Sequence, residues 1–190
     1  MKKLSLTLAL TLIAGPALAH VGHGETSGLV AGMEHPVFGL DHLLAMLAVG
    51  LWSGFVLPHR FWAGAAAFMA AMVAGALLSW SGVGFPAVEA VITASVVAFG
   101  LLTLIARRGQ SGWVTGVSLA AIALFASAHG HAHATEASGD ALAYLAGFLI
   151  STAALHLAGV GVARLVATNL AVQRALGAGI ALSGLWLMAG

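Results

Sequence analysis

Six apolar stretches of about 20 residues each, at about 36–57, 61–80, 86–106, 112–128, 140–163 and 171–189, leave this chain little choice of solvent. Only 7% of its 190 residues are charged, against roughly 25% in soluble domains, and the mean hydropathy is +1.03. Once in lipid, each stretch must satisfy its backbone polar groups internally, so each reads as a helix. The fold class is therefore all-α, a polytopic membrane protein with six transmembrane helices. The breaks at 58–60, 81–85, 107–112, 129–139 and 164–169 are short and carry turn formers or charge.

The first 19 residues read as a cleaved signal peptide. Lys2 and Lys3 precede an apolar run over 4–14, and Ala17-Leu18-Ala19 supplies the small-x-small cleavage pattern. Cleavage makes His20 the mature N-terminus, with a periplasmic His-containing leader over 20–35 and the six-helix domain over 36–190. Two of the seven basic residues leave and all six acidic ones stay, so the formal charge falls from +1 to −1 and nucleic acid is not a plausible partner. With the N-terminus outside, the inner connections hold Arg60, Arg107, Arg108 and Arg164, and Arg174 lies just inside the last span. The outer connections hold no Lys or Arg, which is the positive-inside asymmetry expected in a bacterial inner membrane. Three spans followed by three set the halves in opposite orientation, as in inverted-repeat transporters, although no sequence match links them. The 25 glycines read as helix-packing surfaces, Gly177 and Ala181 among them. Trp52, Trp113 and His59 read as interfacial residues near span ends.

The chain has nine histidines and no cysteine, so any metal must bind imidazole, carboxylate, thioether or backbone groups. The densest signal is His35-Pro36-Val37-Phe38-Gly39-Leu40-Asp41-His42, followed by Met46. Pro36 suits the first turn of a helix, which leaves His35 at the outer rim and carries Asp41 and His42 into the membrane, with Met46 one turn below His42. A carboxylate there costs roughly 2.5–3.5 kcal/mol, so it calls for a partner or an ion. On a straight helix His35 and His42 lie about 10 Å apart, too far to share one ion, and they read as successive stations. An Asp–His pair joining helices is the structural alternative.

The stretch 129–136 alternates His129, His131 and His133 and ends in Glu136, a set that suits a borderline divalent metal and reads as a polar outer loop. Glu89, one turn into the third span, lies at a depth comparable with Asp41. His156 falls in the inner half of the fifth span, as an exit-path residue or an interhelical hydrogen bond. After cleavage, the His20 amine and imidazole, with His23 close by, form a further chelating group; the alternative is an unstructured leader.

At His35-Pro36, Gly39, Asp41-His42 and Met46 the sequence resembles the HupE/UreJ family of nickel and cobalt permeases, whose motif is written HPxxGxDHxxxM. The family's HGxAHGxE motif is matched by His129-Gly130, Ala132-His133 and Glu136, with Ala134 in place of the expected Gly. The resemblance spans essentially the whole chain. It implies secondary uptake of nickel, with cobalt next, as transported substrate rather than catalytic cofactor, and neither an ATPase subunit nor an enzymatic activity. Two other classes compete: a membrane-embedded zinc-dependent hydrolase, for which no HExxH motif occurs, and a periplasm-facing metal-binding accessory protein without an inner pathway.

Overall fold

The computed structural model describes residues 28–137 and 139–190, so the signal peptide and the His20–His23 chelate lie outside the described residues. Among the described residues there are seven helices: α1 (Gly28–Phe38), α2 (Leu40–Val56), α3 (Ala63–Trp80), α4 (Val88–Ile105), α5 (Gly112–Glu136), α6 (Ala141–Leu165) and α7 (Leu170–Ala189). Helices α3 to α7 are each long and apolar enough to cross a membrane. Helices α1 and α2 meet at a 77° bend and together make up to a sixth span. The chain is a multi-pass, all-α membrane protein. Three helix starts follow side-chain chemistry: Ser111, Asp140 and Asn169 accept hydrogen bonds from the amides of Val114, Ala143 and Val172 and so cap α5, α6 and α7.

Two elements differ from the sequence reading. Residues from Gly28 on are already helical, although the sequence reading starts the first span at 36, and Pro36 lies near the end of α1 rather than in the first turn of a span. This helix rests on α6. A side chain at Gly32 would run into the Tyr144 carbonyl, and Ser151 Oγ donates to the Met33 carbonyl at 2.6 Å. The second difference is at 129–136, which continues α5 as helix instead of forming a loop. Trp52 also departs from expectation, being 1% exposed in the core rather than interfacial, whereas Trp113 is 80% exposed.

The most extensive helix pairs are α3 with α5, α4 with α7, and α2 with α6. Exchanging the first three long helices for the last three maps this set of pairs onto itself. Glycine allows each pair to close: Gly50 packs on the His156 carbonyl, Gly130 on the Met72 carbonyl and Gly177 on the Leu104 backbone. Charge is segregated along the bundle. Among the described residues every acidic group (Glu34, Asp41, Glu89, Glu136 and Asp140) belongs to the end where α1, α2 and α5 bring His35, His42 and His133. All five arginines belong to the other, where Arg164 stacks on Phe61 at 4.5 Å and Arg107 and Arg174 share a pocket.

Candidate metal centre

The bend at Gly39 creates the site. His35, on the last turns of α1, is carried back over the start of α2, and its ring centroid lies 5.3 Å from that of His42. The expectation that these residues are too far apart for one ion is therefore wrong, because it assumed a straight helix. From α5, His133 closes the group, at 4.6 Å from His35 and 4.5 Å from His42 between ring centroids. One nitrogen from each of the three lies within 4.8 Å of the others. Ligands on one ion with metal–nitrogen bonds of about 2.0–2.1 Å sit about 3–3.5 Å apart, so small side-chain rotations complete the set. The extension of α5 matters here: His129, His133 and Glu136 are spaced i, i+4, i+7 and share a face, which a loop would not ensure.

The local hydrogen bonds leave ligand lone pairs free. His42 Nδ1 donates to Asp41 Oδ1 at 2.5 Å, while the His42 amide donates to the same oxygen at 2.8 Å. Nε2 is therefore the basic nitrogen, and it is buried without a protein partner. A carboxylate fixing the tautomer of an imidazole is the usual support of a metal-ligating histidine. A side chain at Gly39 would press within 3.1 Å of His42 Nδ1, so glycine leaves the pair its room. Both His133 nitrogens are buried and unpartnered. Glu136 stands at the rim, 3.4 Å from His133 Nδ1 and 3.8 Å from His35 Nε2. Glu89 joins these groups around a pocket of about 200 Å³.

One layer deeper lies His129, fully buried, with its ring 4.9 Å from that of His42. Ser95 Oγ spends its hydrogen on the Ile92 carbonyl at 2.6 Å, so the 3.0 Å contact with His129 Nε2 makes the imidazole the donor. Nδ1 then carries the lone pair and has no partner.

The remaining histidines and Met46 are placed differently. His131 points away: Nε2 donates to the Val83 carbonyl at 2.7 Å, which ties α5 to the α3–α4 connection. Met46 is fully buried in the apolar core and does not line the pocket. His156 is also buried, outside the three-histidine group. Three neighbours carried no signal strong enough to single them out: Ser95, Phe148, whose ring is 4.1 Å from His133, and Tyr144, whose ring is 6.3 Å from His35. Tyr144 is the chain's one tyrosine, one turn after the Asp140 cap, and that isolation was its only available mark.

Comparison with known proteins agrees with these motifs. The family described as HupE / UreJ protein matches residues 8–187. Protein HupE of Rhizobium leguminosarum bv. viciae is 35% identical over 195 residues, covering all of both chains. No solved structure matches the chain.

Proposed function

Since the chain belongs to the HupE/UreJ family, we propose that it is a permease for a divalent transition metal, nickel first and cobalt next, working in a bacterial inner membrane. The observation that carries this reading is the run of imidazoles from the pocket inward, His35 and His133, then His42, then His129, the last three with buried nitrogens that have no hydrogen-bond partner. Neutral imidazoles with a carboxylate suit a borderline cation, and an apolar interior holds such groups only at a cost that an ion offsets. Glu136 and Glu89 gather the cation at the mouth. Asp41 compensates its charge as water is shed. The arginines at the opposite end favour a cytoplasmic position for that end, so the pocket opens outward and the path is one of uptake. The symmetric pairing of the helices also fits a transporter built from opposed halves.

A zinc hydrolase accounts for three histidines beside Glu136 but gives His129 no task, since a catalytic site needs no ligand behind it. The test is radionickel uptake by proteoliposomes, with cobalt as competitor. Accumulation saturable in nickel and reduced by cobalt is expected; vesicles no better than protein-free controls would reject the permease. Because the chain lacks cysteine, the orientation is read on intact cells carrying Gly84→Cys or Gly109→Cys. An impermeant maleimide should label position 84 alone, and labelling of 109 alone would reverse the path.

A further inference from the structure

The polar series does not stop at His129. Its ring meets Phe68 of α3 at 5.4 Å, and the other side of the contact chain is His156 of α6, 5.1 Å from the same phenyl ring. Phe68 is fully buried and His156 is 1% exposed. One imidazole nitrogen of His156 is engaged: Nδ1 donates to the Thr152 carbonyl at 2.6 Å. That bond fixes the tautomer with the lone pair on Nε2, which is buried and has no partner. Two more oxygens in this part of the bundle are buried and unpartnered, Thr152 Oγ1 one turn earlier on α6 and Ser53 Oγ on α2. Ser53 lies one turn beyond Gly50, the residue that packs on the His156 carbonyl.

An oriented imidazole with a free lone pair is costly in an apolar interior if it serves only packing, because phenylalanine or leucine would fill the volume without that cost. From this geometry we propose that His156 Nε2 is an inner station for the divalent metal, separated from the outer histidines by the Phe68 ring. The proposal rests on the permease reading and names the next site on the path. Its poverty of strong ligands belongs to the role. The outer pocket offers three imidazoles and three carboxylates, whereas the inner station offers one imidazole and neutral hydroxyls. Conduction requires a site good enough to enter and weak enough to leave, and a descending series of ligand strength meets both conditions.

The experiment separates ligation from the hydrogen bond. In His156→Asn the amide can donate to the Thr152 carbonyl from the position of Nδ1, but nothing replaces Nε2. In proteoliposomes with matched amounts of inserted protein, His156→Asn and His156→Ala should both lower the maximal rate of radionickel uptake by about tenfold or more. The half-saturating nickel concentration should stay within about twofold of wild type, since the outer pocket is intact. A His156→Asn rate equal to wild type would assign the histidine to helix packing and overturn the proposal. So would a loss expressed wholly in half-saturation. If wild-type protein moves no nickel, the permease reading fails by itself; if the variants do not insert, uptake gives no comparison. In either case, anomalous diffraction from nickel-soaked wild-type crystals decides. A nickel peak at ligand distance from His156 Nε2 supports the station, and its absence rejects it.

Discussion

The two ends of the bundle are built on different principles. At the outer end, α1, α2, α4 and α5 converge with imidazoles and carboxylates, several of them buried and without protein partners. At the inner end, Ser53 Oγ apart, the buried polar groups are used up in structure. Gln173 Nε2 donates to the carbonyls of Thr103 and Ala106, Thr103 Oγ1 donates to the Ala48 carbonyl, and Arg164 stacks on Phe61. Satisfied groups hold helices together, and unsatisfied ones at comparable depth are placed for something the protein does not itself supply. The comparison therefore points to the candidate site by hydrogen-bond accounting together with the convergence of imidazoles and carboxylates, rather than by polarity alone.

The contrast is most exposed at Asp41 and His42. Replacing His42 with alanine should reduce nickel uptake to the background of empty vesicles, and Asp41→Asn should weaken nickel binding by about 10–100-fold through the lost orientation of the ring. Both proteins should remain in the membrane in normal amounts, as immunoblots of washed membranes would report. Loss of inserted protein instead would mean that the pair holds helices together.

A smaller effect tests the frame rather than the site. Gly130 sits between His129 and His131, and a methyl group there would meet the Met72 carbonyl, forcing α3 and α5 apart. Gly130→Ala should destabilise the protein by about 1–3 kcal/mol, as overpacking does. The thermal midpoint in detergent should fall accordingly. An unchanged midpoint would show that this seam yields freely and that the helix pairing is looser than described.

The smallest effect is expected at His131, which lies between His129 and His133 in sequence but whose Nε2 is turned to the Val83 carbonyl, away from the pocket. His131→Ala should leave nickel uptake within about twofold of wild type while removing a hydrogen bond worth about 0.5–1.5 kcal/mol. Uptake reduced as severely as in His42→Ala would erase the distinction between the imidazoles that line the pocket and the one turned away from it.

Much of this was legible in the sequence, and the failures have physical causes. Hydropathy located the long helices, because lipid tolerates only internally bonded backbone. It ended the fourth span at residue 128, since three histidines lower the average, although the i, i+4, i+7 spacing of His129, His133 and Glu136 was present as a helical sign. The shared site of His35 and His42 was illegible, because separation along the chain becomes distance only once the direction of the helix is known, and the bend at Gly39 changes it. Ser95 and Phe148 were invisible for a related reason. Their relation to His129 and His133 depends on which helices pair, and no local pattern encodes that.

The claim that His35, His42 and His133 form one metal site is tested most directly by X-ray absorption at the nickel edge of the purified, nickel-loaded protein. The fine structure should contain the multiple-scattering signature of about three imidazoles at about 2.1 Å. Each of His35→Ala, His42→Ala and His133→Ala should remove one of them or abolish binding, while His131→Ala should leave the spectrum unchanged. Oxygen-only coordination in the wild-type protein, or a spectrum indifferent to all three substitutions, would contradict the site.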